Sequence, residues 1–247
     1  MPTGLLLLHG FPLDASMWAP QLAAFRGEAP VVASSFPGFG DAPLSGEVST
    51  MDDGAERAVA DVEAAGLDRV VVCGISMGGY VAFAFWRKFR DRVAGLVLAN
   101  TRAGADDEAG RERRRALAER VRSEGTGFLV ESPPPLLSAD APAELWSQVK
   151  SIIAAQSPDA IAAASLGMAE RHDSTNDLPG IDVPTLVVTA SADTLIPPEA
   201  TSPLADQIPG AQLEVIEGVG HICNLQAPQE FNRLVRSHLV RCGVLTG

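Results

Sequence analysis

Short apolar runs rich in Val and Leu recur along the chain, each closed by turn residues and followed by a stretch with helical period. Their apolarity is continuous rather than alternating, as expected of strands covered on both faces in a parallel sheet. Six such runs are read as strands: residues 4–8 (GLLLL), 30–34 (PVVAS), 69–74 (RVVVCG), 93–99 (VAGLVLA), 184–190 (PTLVVTA) and 211–216 (AQLEVI). Helical crossovers between them predict an α/β fold, a doubly wound, mainly parallel six-stranded sheet.

The rhythm breaks between Asn100 and Val183, where more than eighty residues separate two strands that one crossover could join. A helical cap inserted at 101–180 is the expectation, with a core formed by 1–100 and 181–247. Within the insertion, 106–124 reads as a helix carrying six arginines among acidic residues: Arg111, Arg113, Arg114, Arg115, Arg120 and Arg122. That mixture is read as a solvated face rather than a binding surface. The run SPPPLL at 132–137 cannot continue a helix, because proline lacks the amide donor, and it is expected to hinge the cap. Further helices are predicted near 142–155 and 158–171, the second opening on Ser157 and Pro158 as cap and first-turn residues. Their apolar faces are expected to cover the mouth of the core.

Composition narrows the function classes. At 247 residues the chain can bury one substantial core. Nineteen basic residues against 31 acidic ones, a net charge of −12, repel phosphate backbones and anionic headgroups, so neither nucleic acid nor a membrane surface is an expected partner. No segment approaches the roughly 18 apolar residues of a membrane span. The opening MPTGLLLLHGFP lacks the basic flank and cleavage site of a secretory signal. Cys73, Cys223 and Cys242 cannot all pair and show no zinc or redox spacing. A reducing, cytoplasmic setting fits that usage, and no metal site is expected.

The chemistry is concentrated in Gly74-Ile75-Ser76-Met77-Gly78, directly after the strand VVVCG and before the helical stretch GGYVAFAFWRKF. This is the strand, sharp turn and helix setting of a GxSxG nucleophile elbow. The turn strains the serine backbone and leaves no room for side chains two residues before and after it. A serine hydroxyl needs a base within reach and a third group to fix that base's tautomer. Of His9, His172, His221 and His238, only His221 lies on a loop just after the final strand, and it is read as the base. His238 falls in the last helix and His172 at the end of a cap helix, where packing or surface roles are expected. Asp193 directly follows PTLVVTA and so reaches the same sheet edge. Asn100, at the end of VAGLVLA, carries no charge to stabilise an imidazolium, and Asp173, Asp177 and Asp182 precede their nearest strand. The amides of Phe11, in the His9-Gly10-Phe11-Pro12 loop, and Met77 are expected to form the oxyanion hole. His9 is read as holding that loop. Trp146 and Met168 are candidate pocket walls, since apolar side chains line most small-molecule sites.

HGFP, GISMGG, the acidic residue of SAD and the histidine of GVGH occur in the order Ser, Asp, His, and with them the chain resembles the α/β-hydrolase superfamily over almost its whole length. Within it, HGFPLDASMW, PGFGDAP, SMGGYVAFAFWRK and the passage from GMAERHDST to IDVPTLVV resemble 3-oxoadipate enol-lactonases and related carboxylesterases. The resemblance implies hydrolysis of a small-molecule ester or lactone through an acyl-serine intermediate, without metal or organic cofactor. Two departures stand out. The family's first two strands are missing, which predicts a smaller sheet without an antiparallel edge. Tyr80 also stands where related menaquinone-pathway lyases carry an arginine, which weighs against a lyase. Competing readings on the same triad are cofactor-free carbon–carbon hydrolysis, perhydrolysis, lyase chemistry, and a slow-hydrolysing ligand receptor or signalling module.

Overall fold

The computed structural model describes residues 2–246. Its strands are β1 (Thr3–Leu8), β2 (Val31–Ser34), β3 (Arg69–Ile75), β4 (Val93–Ala99), β5 (Thr185–Ala190) and β6 (Gln212–Ile216). Each lies within a residue of its predicted bounds. They form one sheet in the order β2-β1-β3-β4-β5-β6, with every neighbouring pair parallel and, among the described residues, no antiparallel edge. The chain moves outward from β1 to β2, then crosses back to β3 on the other side. That reversal creates a crevice at the carboxyl ends of β1 and β3, where open α/β sheets bind ligands.

The helices are α1 (Ala19–Ala24), α2 (Met51–Ala64), α3 (Met77–Lys88), α4 (Glu108–Glu124), α5 (Gly127–Glu131), α6 (Ala143–Ala154), α7 (Pro158–Ala169), α8 (Pro198–Thr201), α9 (Pro203–Gln207), α10 (Cys223–Gln226) and α11 (Pro228–Arg241). Helix α3 is the axis of the core, buried at every position from Met77 to Trp86. Burying a side chain such as Phe83 or Phe85 stabilises the fold by about 1.5–3 kcal/mol. Helix α2 opens on a capping box, with Thr50 N donating to Asp53 Oδ2 at 2.7 Å and Asp53 N donating to Thr50 Oγ1 at 3.1 Å.

Helices α4 to α7 lie between β4 and β5. As predicted, Ser157 caps α7 through Ala160 N (3.0 Å), with Pro158 in the first turn. Helices α4 and α7 pack together, and Ser165 Oγ donates to Arg114 O at 2.9 Å. Helix α7 also rests on the core: Ser49 N donates to Ala163 O at 3.1 Å, and a Cβ on Gly167 would lie 1.7 Å from Ser49 O. Residues 132–137 are not helical, as expected, but they dock on the core rather than swing free. Leu136 and Leu137 are buried, and Ile222 N donates to Leu136 O at 2.9 Å.

One strand departs from the two-sided burial that its sequence suggested. β6 is the sheet edge, and Leu213 and Val215 are exposed there. Among the described residues no helix is long and apolar enough to cross a membrane.

Candidate active site

Ser76 sits between β3 and α3 with φ 56° and ψ −118°, a left-handed backbone that costs a non-glycine residue about 1–2 kcal/mol. Its neighbours explain how the turn closes. A Cβ on Gly74 would lie 2.2 Å from Gly78 O, and one on Gly78 would lie 2.0 Å from Leu8 O. Only glycines let α3 approach β1 so closely. The strain is held by hydrogen bonds: Ser76 N donates to Ala99 O (3.0 Å), while Ser76 O accepts from Gly79 N (2.9 Å) and from Thr101 Oγ1 (2.8 Å). The Ser76 hydroxyl makes no hydrogen bond to the described residues and borders a cavity of about 370 Å³.

His221 borders the same cavity, on the loop between β6 and α10. Its Nδ1 lies 2.7 Å from Asp193 Oδ2, both side chains being buried. Asp193 follows β5, and its other oxygen accepts from the amides of Leu195 (2.8 Å) and Ile196 (3.0 Å). With Nδ1–H committed to the carboxylate, Nε2 is the nitrogen left to take a proton. The structure thus gathers Ser76, Asp193 and His221 at one rim. The serine and imidazole share a cavity and are not hydrogen bonded to each other, a separation common before substrate binds. Cys223, two residues on, is no rival nucleophile: burial first, and then the charge of Asp193, push its thiol up to about 12.

Asn100, passed over in the sequence for its lack of charge, holds the histidine loop in place. It is fully buried with φ 43°, donates from Nδ2 to His221 O, and accepts at Oδ1 from Ala190 N (2.9 Å). One amide therefore ties the ends of β4 and β5 to the loop that carries the base. A signal was present in the sequence: asparagine is among the few residues that tolerate left-handed backbone at a strand end.

His9 has the structural role read for it. Nδ1 lies 3.1 Å from Gly10 O, and Nε2 accepts from Phe36 N at 2.9 Å, an arrangement that needs a neutral ring. Burial lowers its pKa to about 4, outweighing the opposing pull of Gly10 O and Asp14. The ring fixes the loop after β1, and Leu8 pairs in register with Gly74, so Phe11 reaches the same cavity as Ser76. The amides of Phe11 and Met77 have no backbone acceptor among the described residues. Phe11 borders the Ser76 cavity, and Met77 opens α3 directly after Ser76.

Met168 borders the cavity, whereas Trp146 lies on α6, partly buried against the core and away from the cavity lining. His172 pairs instead with Asp177 (3.3 Å), and His238 is buried in α11. The arginine-rich helix differs from its reading as a wholly solvated face. Arg113 and Arg114 of α4 border the cavity together with Arg102, which the sequence had not marked.

Fold and site define an alpha/beta hydrolase: the model of that family matches residues 5–234, and the chain belongs to it. Among relatives of known sequence, RutD of Escherichia coli O81 (strain ED1a), provisionally assigned as a carbamate hydrolase, is 30% identical over 95% of this chain and 90% of its own. Among solved structures, a thermophilic esterase from Thermogutta terrifontis with malate bound superposes with a TM-score of 0.93 at 40% identity, covering 98% of this chain and 92% of that one. The enol-lactonase from Burkholderia xenovorans LB400 superposes with a TM-score of 0.87 at 25% identity, covering 97% and 91%.

Proposed function

We propose that the protein hydrolyses small carboxylic esters or lactones through an acyl intermediate on Ser76. The observation that carries this reading is the buried His221–Asp193 pair at 2.7 Å, opening onto the same cavity as a strained, unpartnered serine hydroxyl. The likeness to an esterase and an enol-lactonase adds support.

Ser76 Oγ attacks the carbonyl carbon while its proton passes to His221 Nε2, and Asp193 stabilises the imidazolium. The amides of Phe11 and Met77 donate to the oxyanion. Collapse breaks the bond to the leaving oxygen, which takes the proton from His221. Water then attacks the acyl-serine, giving a proton to His221. As the second tetrahedral species collapses, that proton returns to Ser76 Oγ and the carboxylic acid departs.

A second reading has its own observation, the carbamate assignment of RutD-like relatives. A carbamate carbonyl suits the same nucleophile. A panel of p-nitrophenyl esters, lactones and alkyl carbamates tests both readings. The expected result is ester or lactone turnover with a pre-steady-state burst, lost in Ser76→Ala. Carbamate turnover exceeding ester turnover favours the second reading. Turnover of either class by purified Ser76→Ala at the wild-type rate defeats both.

A further inference from the structure

Phe11 is held between two loops, one leaving β1 and one leaving β2. The first is turned by Leu13 N donating to Gly10 O (3.0 Å) and by Asp14, whose Oδ1 caps the 3₁₀ turn Ala15–Trp18 through Ser16 N at 2.9 Å. The second sets Phe39 edge-on against the Phe11 ring, with centroids 6.4 Å apart, and against the His9 ring at 5.4 Å. Neither 9–14 nor 35–42 belongs to a helix or strand, so each loop needs side-chain anchors to keep one geometry.

A single side chain from between β4 and β5 grips both loops. Gln156, in the turn joining α6 to α7, is buried. Its Nε2 donates to Asp14 Oδ2 and to Ile152 O, each at 2.8 Å, while its Oε1 accepts from Gly40 N at 3.2 Å. Two of these partners are acceptors and one is a donor, so only this orientation of the amide satisfies all three. Ile152 O fixes Gln156 to its own helix. The other two bonds therefore join that helix to loops 142 and 116 residues away along the chain. The docking is close: a Cβ on Gly38 would lie 2.8 Å from Ala160 Cβ of α7.

We infer that Gln156 is a positioning residue for the oxyanion hole, tying Asp14 and Gly40 to the α6–α7 turn and so aiming the Phe11 amide at the cavity. This rests on the reading of Phe11 N–H as an oxyanion donor and adds the group that holds it. An oxyanion donor has to be in place before charge develops, and a drift of about 1 Å forfeits on the order of a hundredfold in rate. Seating of the inserted helices and assembly of the oxyanion hole become one event.

The test reverses the polarity of one bond. Gln156→Glu keeps the size of the side chain and the acceptor for Gly40 N, but it sets a second carboxylate against Asp14. Asp14→Asn keeps the acceptor for Ser16 N and turns an amide donor toward Gln156 Nε2. The double variant Asp14→Asn/Gln156→Glu restores a donor–acceptor pair. With p-nitrophenyl butyrate, kcat should fall about tenfold or more in each single variant, with KM within about threefold of wild type. The inhibition constant of an alkyl trifluoromethyl ketone should rise by a similar factor. Ser76 Oγ adds to the ketone carbon, its proton passes to His221, and the carbonyl oxygen becomes the oxyanion, so this affinity reads the hole and not general stability. The double variant should recover most of both losses.

Hydrogen exchange of the unliganded protein, read by mass spectrometry over 10–18 and 36–42, should be faster in the single variants and near wild type in the double. If Gln156→Glu does not fold, Asp14→Asn carries the same comparison. Folded single variants with wild-type kcat and ketone affinity overturn the inference. So does a loss of kcat that leaves ketone affinity unchanged or that the double variant does not recover. Wild-type protein that neither hydrolyses the ester nor binds the ketone removes the hydrolase reading instead. Exchange then decides: faster exchange in the single variants supports Gln156 as the clamp on the Phe11 loop, and unchanged exchange overturns it.

Discussion

Asn100→Ala probes how the base is positioned. The substitution removes the amide that donates to His221 O and accepts from Ala190 N at 2.9 Å. Leaving the buried Ala190 N–H without an acceptor costs about 1–3 kcal/mol. Alanine at φ 43° adds about 1 kcal/mol of left-handed strain. The sum is about 3 kcal/mol, which lowers the melting temperature of a chain this size by about 6–12 °C. Function should suffer separately. The freed loop lets the imidazole shift, and a displacement of about 1 Å can cost on the order of a hundredfold in rate. We expect kcat to fall at least about tenfold, with KM changing far less, because the change displaces the base and leaves the other cavity walls in place. Asn100→Gly is the companion variant: it lacks the amide but tolerates the backbone, so it should regain about 1 kcal/mol of stability without regaining kcat. Melting curves and ester kinetics on both variants decide the matter. Asn100→Ala with kcat within about twofold of wild type and an unchanged melting temperature would show that the bridge does not hold His221.

Three further outcomes follow from the same coordinates. Gly78→Ala drives a Cβ to 2.0 Å from Leu8 O and should cost about 3 kcal/mol or prevent folding, whereas Gly127→Ala meets nothing within 4 Å and should leave the melting temperature nearly unchanged. Burial lowers His9 and His238 to about 4 from the ordinary 6.5, so the unfolded chain protonates first as pH falls. Their stabilisation is complete above pH 6.5 and is lost as pH drops through about 4, with about 2 kcal/mol per histidine gone by pH 5. Melting scans should show this as a fall of about 8 °C or more between pH 7.5 and pH 5, roughly halved in His238→Leu, and equal pH dependence in wild type and variant would contradict it. Asp106→Asn removes the only carboxylate among the described residues that pairs with the buried Arg171, and should destabilise by about 3–5 kcal/mol in urea unfolding, with a loss below about 1 kcal/mol contradicting its place at the centre of the cluster with Arg102, Arg114 and Arg171.

The sheet was legible because strands buried on both faces need unbroken apolar runs, and the four residues Leu5–Leu8 could satisfy little else. That Ser76, Asp193 and His221 share one edge was legible for a related reason: each lies on the segment that leaves the carboxyl end of a strand, and in a parallel sheet such positions lie together. The cavity's charge was not legible. Sequence spacing pairs Arg111 with Glu108, Arg115 with Glu112, and Arg120 with Glu124, and all three pairs form on the solvent side of α4. Arg113, Arg114 and Leu117 lie at i, i+1 and i+4, on the face turned to the cavity. Which face of a charged helix looks inward depends on what it is packed against, and local periodicity does not contain that information. Asn100 was missed likewise, because its role lies in a partner distant along the chain, His221 being 121 residues away. Trp146 shows the converse error, since an apolar side chain on a cap helix has several surfaces to cover besides a pocket.

The central claim is that one hydroxyl, at residue 76, is made nucleophilic by the histidine at 221. The most direct measurement is mass spectrometry of the intact and digested protein after brief exposure to a fluorophosphonate. The account predicts a single adduct on the peptide containing Ser76, absent in Ser76→Ala and formed far more slowly in His221→Ala. An adduct on another residue, or labelling of Ser76 at an unchanged rate without His221, would contradict it.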